Sequence, residues 1–575
     1  MSHATLDPRA GFLGRLATLA TTGVLMLACP RAGAAATLNC SAGNTTCLIA
    51  AITSANSTTE ADTITLDDSS YVLTAVNNTT DGATGLPAIT SPITIIGRGA
   101  THTFITRDDT SPAQFRIFLV QPDGKLQLQG VTIQFGGTGL RGRDTFDPAT
   151  SFTGKGGGIF NKYGTVILTD TVLAQNGTYH CGGGIANFGF GSSVTAIRTT
   201  ISRNFARGGG GGLCSSVGTV TLTNTTIDHN NAYGAGGIVI GHGLEPATHA
   251  QSKLILTNST IAENQGSHDL AYPELPAHYR SVGALACYGG DLSVPELKDT
   301  ILLTNSTISK NHLGPGESES RGIFAQENCE IVLFNTIVAG NSGGLTAECW
   351  ATVDGKITSF GNNFLPAEGC FSTDRGNVPL FPTDRKSDDP ALGPFANSGT
   401  PGQGYLPLRA DSKAINAGNS TFCPPLDQRG KARVGICDIG AVEFQPGEVL
   451  QAPDLIETYV SPPANQPSLV VTGGGSVVVQ DYVKNSGTTT AGSSTTQFYL
   501  SLNNVKDSGD VLLGGRAVTA LAPGVSLSAN TSVTVPPTTP TGTYFVLACA
   551  DNTNTVDESN ETNNCLASGS LIVVK

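Results

Sequence analysis

Two stretches of this chain concentrate side chains that could do chemistry. The first is Gln265–Arg280, which carries His268, Tyr272, Glu274, His278, Tyr279 and Arg280. Aromatic rings stack on sugar faces, and His, Glu and Arg bond to hydroxyls or carboxylates, so this composition suits contact with a glycan. The second is the acidic run Asp551–Glu561, in which Asp551, Asp557, Glu558 and Glu561 supply the hard oxygens that a weak extracellular calcium site uses. A solvated turn is the plainer reading of that run. Six of the nine histidines (His229, His242, His249, His268, His278 and His312) fall between positions 229 and 312. None shows the i, i+4 pairing of a helical zinc site, so they read as loop histidines on a polar surface.

The elements that must position these groups come from a short repeat. Its cores begin at Val166, Val194, Val220, Leu254, Ile301 and Ile331, and each closes on an asparagine: Asn176, Asn204, Asn230, Asn264, Asn311 and Asn341. The first three cores start 28 and 26 residues apart, a spacing that belongs to a solenoid. Glycine-rich lead-ins such as Gly182-Gly183-Gly184 precede most copies. Within Val220–Asn224 the inward face holds Val220, Leu222 and Asn224, and Ile227 restarts an inward position after a turn. Stacked in parallel, Leu168, Leu222, Leu256, Leu303 and Leu333 form an aliphatic ladder. Asp170, Asn224, Asn258, Asn305 and Asn335 then form a polar one at a turn that tolerates unusual backbone angles. The expected fold class is all-β: a right-handed parallel β-helix, the hand following from crossover chirality, then an immunoglobulin-like β-sandwich. The Gln265–Arg280 stretch lengthens a gap that is only a few residues in other copies, so it leaves the stack as a surface loop.

Length and composition agree. The 575 residues include 71 glycines, only 13% are charged, and the formal net charge is −13. An acidic chain without a basic stripe excludes nucleic acid as an expected partner. Residues 1–36 read as a signal peptide, with Arg9 and Arg15 before the apolar run Leu16–Ala28. Met26-Leu27-Ala28-Cys29 loosely resembles a lipobox, which would attach lipid at Cys29. No other segment reads as a membrane span. Of 13 cysteines, 12 follow Cys29, and local spacing favours Cys40–Cys47, Cys349–Cys370, Cys423–Cys437 and Cys549–Cys565. The pairing of Cys181, Cys214, Cys287 and Cys329 stays open.

Four resemblances add to this reading. Near the start, Leu48, Ala51-Ile52, Ala55-Asn56 and Asp62-Thr63-Ile64 match a motif of exported bacterial β-helix proteins, within a predicted helix over 46–56 that would cover the open end of the solenoid. The glycine lead-ins and terminal asparagines resemble chlamydial polymorphic outer-membrane repeats. Asn397–Pro401, Ser412–Gly418, Asp427–Gly430 and Cys437–Glu443 resemble the closing segment of the choice-of-anchor Q family, with Lys413 and Asn416 replacing the usual Pro and Asp. There Asp427, Arg429, Asp438 and Glu443 are expected to cap the last rung rather than to catalyse. Pro453–Leu455, Val483–Gly487, Leu521–Gly524, Gly542–Tyr544 and Glu558–Asn564 resemble the CARDB module of bacterial surface proteins. Seven alternating runs between 454 and 574 fit its sandwich, with Val477, Val479 and Tyr482 marking a buried face. The expected domains are the signal peptide (1–36), the β-helix (37–445), a linker (446–452) and the CARDB domain (453–575).

Catalysis finds less support. Gly241-His242-Gly243 resembles the Gly-His-Gly of polygalacturonases, but the preceding rung offers only Asp228-His229 in place of a carboxylate pair, and no Arg-Ile-Lys follows. A lyase would need an Asp cluster for calcium, and Asp108-Asp109 and Asp388-Asp389 lie far apart. The sequence therefore favours a secreted or cell-surface, non-catalytic adhesin that contacts a glycan or a surface protein. It expects no cofactor other than calcium. A polysaccharide lyase or glycoside hydrolase is one alternative, and a structural spacer another.

Overall fold

The computed structural model describes residues 35–138, 154–241, 251–267, 281–289, 298–314, 320–343, 348–352, 354–372, 376–378, 380–445, 447, 452–461 and 469–575. Its first part is a parallel β-helix. One rung consists of Ile185–Ile197, Thr200–Ser202 and Phe205–Ala206, and the next repeats it as Leu213–Thr223, Thr226–Asp228 and Asn231–Ala232. The strands of these repeats pair in parallel with their copies one rung away, in unbroken register apart from one bulge between Phe188 and Ser192. Among the described residues, the resulting sheets have 19, 11 and 6 strands.

The interior is set by the alternation seen in the sequence. Leu168, Ala196, Leu222, Leu256, Leu303 and Leu333 stand directly above one another, all buried. Leu173, Ile201, Ile227, Ile261, Ile308 and Val338 make a second column facing them. Each such side chain contributes about 1.5–3 kcal/mol by leaving water. The glycine lead-ins turn the chain between rungs. Gly210 sits at φ 66°, and a Cβ there would collide with the Leu213 carbonyl.

Two polar features finish each rung. The turn position of Asp170, Asn224, Asn258, Asn305 and Asn335 is left-handed, with φ between 45° and 50°. The terminal asparagines form the continuous ladder. Asn204 donates its backbone N–H to Asn230 Oδ1 at 2.9 Å and its Nδ2 to the same oxygen at 3.0 Å. Asn176, Asn230, Asn264 and Asn311 repeat this arrangement with the next copy. All six are buried, so every amide group withdrawn from water is matched by a partner. At the N-terminal end, helix Thr45–Ala55 is capped by Asn44 and buries Leu48, Ala51, Ile52 and Ala55 against the first rungs.

Residues 390–444 run along the flank of the β-helix and do not stack on its last rung. Thr200, Thr226, Thr260 and Thr307 form one outward column of the 11-stranded sheet. They bond in turn to the Gly402 N–H, the Gly404 carbonyl, Gln428 Oε1 and the Ala441 N–H. Leu392, Leu406, Leu408, Ile439 and Val442 pack beside this column on Ala262, Ile337 and Ala339. The expectation that Asp427, Arg429, Asp438 and Glu443 cap the last rung is therefore corrected. These charges knit the closing segment to itself: Arg429 pairs with Asp427 at 2.9 Å and Arg433 with Glu443 at 3.0 Å. Asp438 accepts the backbone N–H groups of Asn416 and Phe444.

The C-terminal part is an immunoglobulin-like sandwich. Leu455–Ser461, Ser476–Asn485 and Ser526–Thr534 form one sheet. Leu469–Val471, Cys565–Val574, Gly542–Cys549, Ser494–Ser501 and Val511–Val518 form the other. Val477, Val479, Phe498, Leu500, Val533, Tyr544, Val546 and Ile572 fill the space between them. Tyr482 does not join them. With a period of two it points away from Val477 and Val479, stands 39% exposed, and packs on Tyr459.

Six disulfides are present: Cys40–Cys47, Cys181–Cys214, Cys287–Cys329, Cys349–Cys370, Cys423–Cys437 and Cys549–Cys565. Among the described residues, no helix is long and apolar enough to cross a membrane.

Candidate functional site

The six-stranded sheet is built from two-residue strands: Gly137–Thr138, Gly177–Thr178, Phe205–Ala206, Asn231–Ala232, Gln265–Gly266 and His312–Leu313. The asparagine ladder lies immediately before it. The residue preceding each ladder asparagine is left-handed: Gln175, Arg203, His229, Glu263 and Lys310 have φ between 53° and 57°. A non-glycine residue rarely adopts this conformation alone. Here the ladder bonds on its C-terminal side fix the backbone, rung after rung. The turn aims each of these side chains outward, in one column.

Strand alternation adds two more columns. Phe205, Asn231, Gln265, His312 and Ser342 stand in register, and Tyr179, Arg207, Tyr233 and Ser267 follow two residues later. Phe205 meets Tyr233 edge to face at 5.8 Å between centroids, and the Arg207 guanidinium lies 4.9 Å over the Tyr179 ring. Asn231 Nδ2 donates to Gln265 Oε1 at 3.4 Å. Arg203, His229, Gln265 and His312 are exposed. One face therefore displays aromatic rings, amides and charged groups at the spacing of the rungs, about 4.8 Å.

The electrostatics of this face centre on Asp228. Its side chain is buried, and Oδ2 accepts from Ser202 Oγ at 2.9 Å and from His229 Nδ1 at 2.8 Å. The bond from Asp228 holds the His229 imidazole above its ordinary pKa, against partial burial, with Glu263 adding to the effect and Arg203 opposing it. The Phe395 ring closes one side of His229 at 5.7 Å. His312 stands between Ser342 Oγ at 2.6 Å and Glu263 Oε2 at 3.5 Å. Beside Tyr179, burial and the charge of Lys155 push His180 down to about 4, so it is neutral at physiological pH.

The residues expected to contact a glycan, His268, Tyr272, Glu274, His278, Tyr279 and Arg280, lie outside the described residues, as do His242 and His249. Ser267, the last described residue before them, belongs to the third column of this face. The acidic run is described. Asp551 Oδ1 accepts from Thr555 N and Oγ1, and Oδ2 from Val556 N, so this carboxylate folds its own turn. Glu558 accepts from Leu455 N and Asn564 Nδ2, and burial pushes it up to about 8. Glu561 accepts the Glu558 N–H, and burial raises its pKa as well. Asp557 points to the β-helix, where Lys310 Nζ lies 2.6 Å from Oδ1. Among the described residues, no three His, Cys, Asp or Glu side chains are arranged to hold a metal ion. A surface hollow of about 490 Å³ between early rungs is lined by Asp67, Asp68, Arg98 and His102. Arg98 pairs with Asp67 at 3.3 Å, and His102 Nδ1 lies 3.0 Å from Asp68 Oδ2.

Comparison with known proteins places the C-terminal part. The model of the CARDB family matches residues 452–568. Among solved structures, a CARDB domain from Pyrococcus furiosus in complex with di-metal ions is 22% identical, with a TM-score of 0.17, and the match covers 23% of this chain and all of that one. A solution structure of a CARDB domain from the same organism is 25% identical at a TM-score of 0.16, covering 22% of this chain and 97% of that one. A β-glucosidase from Listeria innocua in complex with glucose is 17% identical at a TM-score of 0.14, covering 21% of this chain and 16% of the enzyme. No curated protein matches the chain.

Proposed function

We propose that this is an extracellular, cell-surface protein whose β-helix is a rigid, non-catalytic rod presenting a glycan-contact face. The CARDB match and the six disulfides support the extracellular address. The observation that carries the glycan reading is the in-register face of Arg203, Phe205, Arg207, His229, Asn231, Tyr233, Gln265 and His312. Rings of this kind pack on the apolar faces of sugars while the amides and cations bond to hydroxyl and carboxylate oxygens. Because the face is laid on a packed, disulfide-linked solenoid, little ordering entropy opposes binding. Glycan-array binding by the exported chain, compared with an Arg203→Ala/Tyr233→Ala variant, tests the reading; equal binding by both proteins places the contact elsewhere.

One observation favours a second reading, polysaccharide cleavage. His229, oriented by a buried carboxylate and flanked by Glu263 and Arg203, has the form of an acid–base group. Release of reducing ends or unsaturated products from acidic polysaccharides, lost in His229→Ala, would establish it.

A further inference from the structure

The chain carries a formal charge of −13, yet the face described above gathers cations. Arg203 and Lys310 occupy the turn column, with His229 between them, and Arg207 stands in a neighbouring column. The described carboxylates among them are Glu263 and the buried Asp228. Arg203 to Lys310 spans three rung steps, about 14 Å, enough for several sugar units in a row.

The far end of this track already holds an acidic ligand, and that ligand belongs to the same chain. Lys310 Nζ meets Asp557 Oδ1 at 2.6 Å, and the charges of Lys310 and Arg409 both act on Glu561. The Lys310 side chain is 21% exposed and that of Asp557 54%, so solvent reaches the pair from the carboxylate side. A competing anion can approach Lys310 from that side and take the place of Asp557.

We propose that the face binds a uronate-bearing polysaccharide and that Asp557, on the CARDB loop Asp551–Glu561, is a displaceable self-ligand occupying the Lys310 end of the same track. This rests on the glycan-contact reading and names its substrate class. Carboxylates spaced along a sugar chain match cations spaced along the rungs, and aromatic and amide groups between the cations take the sugar rings and hydroxyls. The net charge of −13 repels a phosphodiester and a polyuronate alike, so the preference for the sugar rests on the rings and amides between the cations. His229, facing Asp228, Glu263, Arg203 and the Phe395 ring, adds its positive charge as pH falls below its raised pKa, so binding tightens on mild acidification.

The test is titration calorimetry of the full chain at low salt with polygalacturonate, a neutral β-glucan and single-stranded DNA. Asp557→Asn, Arg203→Ala and a Lys310→Asp/Asp557→Lys charge swap are compared, each checked by thermal melting. The expected result is binding to polygalacturonate and not to the glucan, about threefold to tenfold tighter in Asp557→Asn and at least fivefold weaker in Arg203→Ala. The charge swap should keep the melting profile and lose the polyuronate. Unchanged affinity in Asp557→Asn overturns the self-ligand. Equal binding of the neutral glucan overturns charge selection while leaving glycan contact intact. Tighter binding of DNA overturns the uronate assignment, and binding of neither glycan overturns both readings.

Discussion

Glu348 stands where the next asparagine of the ladder would stand: its Oε2 accepts the backbone N–H of Asn341 at 3.0 Å and Asn341 Nδ2 at 2.9 Å. Its Oε1 takes the Gly340 N–H at 3.1 Å. The column of buried amides thus ends on a carboxylate that satisfies three donors at once. Burial pushes this carboxyl above its ordinary pKa, and the three bonds from Asn341 and Gly340 oppose the shift. Glu348→Gln should destabilise the β-helix by about 1–3 kcal/mol, because the new NH2 group faces donors and strands at least one of them. Urea unfolding followed by far-UV circular dichroism measures this, and an unchanged midpoint would show that the ladder needs no such stop.

A substitution inside the ladder should cost more. Asn264 Oδ1 accepts both the N–H and the Nδ2 of Asn230, while its own Nδ2 reaches the Ile227 carbonyl and Asn311 Oδ1. Asn264→Leu would strand the buried Asn230 N–H and take one of the two bonds from Asn230 Nδ2 and from Asn311 Oδ1, a loss of about 3–6 kcal/mol. Asn258→Leu should cost less, since Asn258 bonds outward to the Leu426 carbonyl and to Arg433, at the edge of the closing segment. The two variants, unfolded side by side, rank the two polar positions of the repeat.

That ranking could not be read from the repeats alone. Both asparagine positions recur, and only the three-dimensional path shows which faces the neighbouring rung and which faces the closing segment. The aliphatic columns, the parallel register and the sandwich were legible, because a fixed period and strict alternation translate directly into stacking. The track of Arg203, His229, Glu263 and Lys310 was legible in principle, as the position before each terminal asparagine, although each residue taken singly looks like an ordinary surface charge. The flank-hugging course of residues 390–444 was not, since its threonine partners lie 134 to 202 positions away in sequence.

The sandwich should lose stability as pH rises. Glu457 is buried, with Oε1 accepting from Thr496 Oγ1 at 3.0 Å, and burial, aided by the negative charge of Asp481, pushes it up to about 8. The folded state therefore holds a proton that the unfolded chain releases near its ordinary value of 4.5. The sign follows: stability contributed by the protonated group is complete below about 4.5 and declines as pH rises toward 8. Glu558, also raised to about 8, acts in the same direction. Glu457→Gln should raise the melting point at neutral pH and flatten, without abolishing, the decline, by roughly 1–3 kcal/mol. A steeper decline in the variant would refute the assignment.

The Cys181–Cys214 bridge joins neighbouring rungs across 33 residues, with both sulfurs buried. Replacing both cysteines with alanine should lower stability by about 2–4 kcal/mol through the freed unfolded chain. The register of Ile185 over Leu213 does not depend on the bridge, so the folded spectrum should persist. Loss of the spectrum would mean that the bridge, and not strand pairing, sets this part of the stack.

The last prediction isolates the Asp228–His229 pair. The Asp228 bond is the largest influence on His229 and raises its pKa, so the pair contributes stability that is complete below the ordinary histidine value of 6.5 and is lost as pH rises through the raised folded value. Asp228→Asn removes the negative charge but keeps a side-chain oxygen for Ser202 Oγ, which now donates to it at 2.9 Å. The His229 titration, followed through its imidazole resonances in NMR, should then shift to lower pH, and the pH-dependent share of stability above about 6.5 should disappear. Because the imidazole is 40% exposed, the effect on melting should be small while the titration shift is plain. Histidine resonances that titrate identically in both proteins would mean that Asp228 only folds the strand, and that His229 takes its protonation from Glu263 and the solvent.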